Sequence, residues 1–228
     1  ATLRAPAGTE VLTMSSNNSG SVTINSGGMF DDNGGSHYFS GSIWTATTAS
    51  YSGNGTVTFN RTSGQTIAGG QFNNLNLITA GNVTVSANVL VNTNIDVTIS
   101  LAGNALILNN NFTISGGGLG VFTLGSGQQL NVNGTNNCPS GFVAYAFDPT
   151  SVTNYTQSFN QVIGAITYGN LTLNTATVKT LGGDIVVLGS LNINTSTLDV
   201  SSNNYDVTIA GNFNNNGTGS LLSNGGNH

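Results

Sequence analysis

"GTVTFNRTSGQTIAGGQFNNLNL", residues 55–77, alternates apolar residues with Thr and Asn in short bursts, halts at Gly or Asn, and starts again. Val57 and Phe59 flank a Thr, and Leu75 and Leu77 flank an Asn. A period of two over a few residues is the mark of a strand with one buried side. The halts use residues that tolerate positive φ and so suit tight corners. The beat continues downstream through Val83 and Val85, Val89 and Val91, Val97 and Ile99, Leu106 and Leu108, Phe112 and Ile114, and Leu130 and Val132. Between the bursts stand Gly81-Asn82, Asn92-Thr93-Asn94, Gly103-Asn104, Asn109-Asn110 and Gly116-Gly117-Gly118.

Strand centres about six to ten residues apart leave no room for the crossover helix of a βαβ unit, which takes a dozen or more residues. A hairpin meander or a sandwich also uses regular short strands. Three features favour stacked coils instead: the strands are very short, many corners are a single Asn or Gly, and charges are missing where long hairpins would display them. In a stack, each short strand pairs with the coils above and below, and Asn side chains at repeated positions form hydrogen-bonded ladders. The expected fold is therefore all-β, a parallel β-solenoid of about ten rungs of roughly 20 residues each, elongated as one unit over residues 1–228.

Composition narrows the function. Of 228 residues, 3 are Lys or Arg and 8 are Asp or Glu, so 5% are charged, against about 25% in an average soluble domain. Asn, Ser, Thr and Gly make up just over half of the chain. Disorder is a poor match, because disordered segments are rich in Pro and charge, and this chain has 3 Pro and 37% hydrophobic residues. Arg4, Arg61 and Lys179 are far apart, which argues against a nucleic-acid partner, since phosphate binding needs clustered cations. No apolar run approaches a membrane helix, so membrane insertion is not expected. The single cysteine, Cys138, reads as a small buried residue.

Residues 136–159 break the beat. They hold Cys138, two of the three prolines, and Phe142, Tyr145, Phe147, Tyr155 and Phe159. This segment is expected to form an inserted aromatic loop or a specialised coil, and Tyr145, Phe147, Asp148 and Tyr155 are its candidate surface contacts. The first sixteen residues are also off the beat and suit an edge cover. Longer echoes support a stacked array: "FNNLNL" from Phe72 returns as "YGNLTL" from Tyr168, and "QTIAGG" from Gln65 returns as "QVIGAI" from Gln161.

The stretch over residues 29–77 resembles the repeats of very large surface adhesins of Bacteroidota. The matching residues are Phe30, Gly34, Gly41, Trp44, the GTVTFN run from Gly55 to Asn60, Gln65 to Ile67, and Phe72 to Leu77. Asn60-Arg61-Thr62 departs from the usual Asn-Gly-Thr, placing a cation on a corner and hinting at a local contact. The resemblance implies type IX secretion, a place on the cell surface or in an extracellular filament, a role in adhesion such as gliding motility or biofilm formation, and a longer parent chain.

Catalytic chemistry needs ionisable groups within reach of one another. Asp31 and Asp32 are the only adjacent carboxylates, and on a turn they form a candidate calcium site. No cofactor motif accompanies them. Asp184 and Asp206 stand 22 residues apart, about one coil, and become neighbours if the coils stack. Thr56-Val57-Thr58 and Thr175-Ala176-Thr177 match the tripeptide of ice-binding solenoids but do not recur at a fixed interval. The sequence reading is thus a non-enzymatic, adhesive solenoid that touches glycans or surfaces by many weak contacts and self-associates into filaments. A carbohydrate-binding or carbohydrate-active β-helix is the alternative.

Overall fold

A computed structural model describes residues 2–4, 13–14, 20–47, 49–99, 103–201 and 203–223. Most of the expected N-terminal cover lies outside the described residues. The chain is all-β and winds as a β-solenoid of about nine turns, with parallel pairing from turn to turn, close to the ten rungs expected. At about 4.8 Å per turn the stack is roughly 40 Å tall.

Each turn contributes to three faces. Face 1 begins with Thr2–Arg4, Met29–Asp31 and Ser50–Ser52, and ends with Gln161–Ile163, Val178–Leu181, Thr197–Asp199 and Ser220–Leu222. Face 2 runs from Thr13–Met14 through Ser36–Phe39, Thr56–Phe59, Asn74–Leu77, Ile95–Val97 and Val121–Leu124 to Ala144–Phe147. Thr167–Tyr168, Ile185–Val187 and Val207–Ile209 then continue it as a separate ladder. Face 3 is unbroken. It passes from Ser21–Thr23 and Ile43–Thr45 through Gln65–Phe72, Val83–Val91, Ala105–Leu108, Gln129–Val132, Val152–Tyr155, Asn170–Leu173 and Leu191–Ile193 to Phe213–Asn215. The long strands Gln65–Phe72 and Val83–Val91 turn the corner and serve face 1 as well.

Alternation places one residue from each of eight successive face-3 strands in a single inward column. Trp44, Ile67, Val85, Leu108, Val132, Tyr155, Leu173 and Ile193 stack in register, and all are almost completely buried. The other faces contribute their own columns, among them Phe39, Phe59, Leu77, Val97, Leu124 and Phe147 on face 2. Aromatic rings cluster near the first turns, where Trp44 meets Phe30, Phe39, Phe59 and Phe72 at centroid distances of 5.2–6.0 Å. Edge-on contacts of this kind add to the burial of the rings themselves.

The corners raise a second problem, because their carbonyls point inward and need donors. Gln65, on the inward beat at 2% exposure, supplies them. Its Nε2 donates to Phe39 O at 3.0 Å and Gly41 O at 2.8 Å, and its Oε1 accepts the Arg61 N–H at 3.2 Å. Gln161 repeats the arrangement, donating to Val132 O and Gly134 O at 2.8 and 2.9 Å and accepting the Gln157 N–H at 3.3 Å. The QTI and QVI echo therefore marks a repeated corner plug, although Gln65 starts a face-3 strand and Gln161 a face-1 strand. Arg61 makes the local contact its departure hinted at, donating its guanidinium to Gly64 O.

Lys179 is a third plug. It pairs with Gln161 across the ladder and is wholly buried. Its Nζ lies 2.8–3.2 Å from Gln157 O, Phe159 O, Gln161 Oε1 and Thr177 Oγ1. Burial pushes its amine down to about 8, while four oxygens replace the water it has lost.

A candidate contact surface

Asp31 and Asp32 sit where face 1 turns toward face 2, and both are buried. Asp32 Oδ1 accepts the Gly34 N–H at 2.9 Å; Oδ2 accepts the Gly55 N–H at 2.9 Å and the Tyr51 hydroxyl. Asp31 accepts the Asn33 N–H at 3.1 Å and pairs with Arg4 at 2.9 Å. The Asn33 N–H leads in holding the Asp31 carboxyl below the usual range. Burial, followed by the bond to Asp32, raises the Tyr51 phenol. Both carboxylates thus act as acceptors for a corner, the counterpart of the glutamine plugs. Gly53 follows the same corner one turn on: its φ is +115°, and a Cβ there would lie 1.8 Å from Asp32 Oδ1.

The aromatic segment supplies two regular strands, Ala144–Phe147 on face 2 and Val152–Tyr155 on face 3. Alternation turns Phe147 and Tyr155 inward, to 3% and 0% exposure, so these two belong to the core and present no contact surface. Tyr145 is half-buried, its ring stacked on Phe122 at 6.4 Å and its hydroxyl donating to Pro139 O at 3.1 Å. Asp148 closes a turn by accepting the Thr150 N–H and hydroxyl at 2.8 and 2.6 Å, which lowers its carboxyl.

The irregular part is residues 136–143, where face 1 keeps only the bridge of Ser115 to Ser140. A shallow open groove of about 450 Å³ follows this break, lined by Pro139, Ser140, Tyr145, Ala165 and Ile166 among others. Under it lies Cys138, with its sulfur 3.8 Å from the Tyr168 hydroxyl. That hydroxyl donates to Gly164 O at 2.7 Å and lies 3.2 Å from Tyr155 Oη. Burial raises the thiol and both phenols.

Asp184 and Asp206 are neighbours on successive turns, where Asp184 Oδ1 accepts the Asp206 N–H at 2.9 Å. Among the described residues, no group of three or more His, Cys, Asp or Glu side chains comes together in a metal-binding arrangement.

Face 3 has a different character. No charged residue stands in any of its ten paired strands. Its outward column runs in register through Ser21, Ile43, Thr66, Thr84, Ile107, Asn131, Asn154, Thr172, Asn192 and Asn214. Gln129, Val152 and Asn170 flank it in register on one side. On the other side, Asn174, Asn194 and Asn216 are bonded side chain to side chain at 2.6 and 3.3 Å. In the central column Asn154 donates to Asn131 at 2.9 Å and Asn214 to Asn192 at 2.8 Å. The last five turns of this face thus carry a lattice of carboxamides and hydroxyls, about 4.8 Å apart along the stack and roughly 7 Å apart along each strand. Individual residues do not reveal it, because the step between paired residues on this face varies from 18 (Val152 to Asn170) to 24 (Ile107 to Asn131).

Compared with known proteins, the chain matches no family model, no curated protein and no solved structure. The resemblance to Bacteroidota surface repeats accordingly rests on the sequence motifs alone.

Proposed function

We propose that this chain is a structural and adhesive β-solenoid, a segment of a large extracellular surface adhesin or filament. It works by extension and by many weak contacts with glycans or surfaces. The observation that carries this reading is the unbroken, uncharged face 3, whose side chains repeat in register over ten strands. A regular array of weak donors and acceptors gains avidity with each added turn, without requiring any one strong site. Low charge along the stack also removes the self-repulsion that would oppose lateral packing. The motifs shared with Bacteroidota surface repeats point to the same location and route of export.

The alternative, a carbohydrate-active β-helix, draws on the proximity of Asp184 and Asp206. Its weakness is that Asp184 already spends an oxygen on the Asp206 N–H. One experiment separates the two. The chain is incubated with a panel of polysaccharides, and both retention and release of new reducing ends are measured. Retention without release is the expected result; release that disappears in Asp184→Asn would establish the enzymatic reading instead.

A further inference from the structure

The face-3 lattice is selective about what it can hold. Each Asn carboxamide has two N–H donors and two acceptor lone pairs. The ladders from Asn131 to Asn154, Asn192 to Asn214 and Asn174 to Asn216 use only part of that capacity. These side chains are half-buried and held against one another, apart from the exposed Asn216, so little freedom is lost when a partner settles on them. The surrounding strands carry no formal charge.

We infer that the later half of face 3, from Gln129 to Asn216, binds neutral, hydroxyl-rich polysaccharide. The inference rests on the adhesive reading above and names its partner. Sugar hydroxyls both donate and accept, and they rotate to meet whichever atom a carboxamide offers. A polyanion meets no cation here, because Lys179 is buried in its plug on face 1. An apolar surface would leave the amides desolvated and unpaired, which costs more than the contact returns. A dry zipper with a second copy needs repeated identical side chains, and Val152, Thr172 and Ser190 interrupt the run. A hydrated glycan tolerates such interruptions, since water bridges the gaps.

The test is retention of the whole chain on an insoluble neutral glucan, with alginate as the anionic comparison. Retention on the glucan is expected to be the same at low and high salt, because no ion pairs are involved. A triple variant, Asn154→Ala, Asn192→Ala and Asn214→Ala, is expected to lose about tenfold in affinity. A face-2 triple, Asn76→Ala, Thr123→Ala and Thr208→Ala, is expected to bind as the parent does. If the alanines disturb folding by circular dichroism, valines at the same three face-3 positions restore strand propensity while still removing the amides.

Equal binding by the face-3 variant, or salt-sensitive retention on alginate alone, overturns the inference and leaves adhesion standing on another surface. Self-association that the face-3 variant abolishes, without glucan retention, assigns the face to a second copy and also overturns it. No retention on any polysaccharide or solid surface, and no self-association, removes the adhesive reading as well.

Discussion

Replacing Gln65 by leucine tests whether the corner plugs hold the turns together. Leucine matches the burial but removes three hydrogen bonds at once, stranding Gly41 O and the Arg61 N–H and leaving Phe39 O with the Asn60 N–H alone. An unpaired buried group costs about 1–3 kcal/mol. Two such groups cost about 2–6 kcal/mol and the added apolar surface returns about 1 kcal/mol, so the net loss is about 1–5 kcal/mol. Against a typical total of about 5–15 kcal/mol, that is a large fraction. Trp44 is the only tryptophan and packs against Phe39, Phe59 and Phe72, so its fluorescence reports on the turns that Gln65 joins. Because stacked turns unfold as a near-linear array, the Trp44 transition in urea should move to lower denaturant more than the transition seen by circular dichroism. A Trp44 midpoint equivalent to less than about 0.5 kcal/mol of change would refute the plug argument.

The remaining predictions concern other corners and the buried titratable groups. Gly53→Ala should cost about 2–4 kcal/mol, because its Cβ meets Asp32 Oδ1 at a positive φ; thermal denaturation measures it. Stability should fall as pH rises above about 9, since Cys138, Tyr155 and Tyr168 are held protonated in the fold but ionise once unfolded. Lys179 works in the opposite sense. With its amine at about 8 in the fold against 10.5 when unfolded, the unfolded chain binds more protons between those values, so this term rises with pH. The difference between parent and Lys179→Met, followed by urea melts from neutral to alkaline pH, should therefore show the parent gaining on the variant across that window; a flat difference contradicts it. Cys138 should react with a thiol reagent slowly in the native chain and rapidly in urea, and equal rates would place the sulfur outside the core.

Much of the fold could be read from the alternation itself. Leu75 and Leu77, Val83 and Val85, and Leu130 and Val132 all face the core as their period demands. Parallel stacking followed from short strands, small corners and missing charge. The polar plugs were harder to see, because a lone Gln or Lys on an apolar beat looks like an interruption. The signal was present in the recurrence of Gln before Thr-Ile and Val-Ile, but its meaning required the inward carbonyls of the preceding turn. Asp31 and Asp32 read as a candidate calcium site on a turn for the converse reason: the groups that donate to Asp32, Tyr51 and Gly55, come from the following turn. Phe147 and Tyr155 were read as loop residues because Pro139 and Pro149 obscured the alternation around them. Face 3 escaped notice because unequal turn lengths hide from the sequence a register that hydrogen bonding makes regular in space.

On the proposed reading, contact is distributed along the stack and does not reside in one pocket. The most direct measurement compares residence time on a neutral glycan surface for one, two and four copies of the chain joined in tandem. Residence time that climbs steeply with copy number, independent of salt, is the predicted result. A single copy that stays bound as long as four would contradict the account and locate binding in one discrete site.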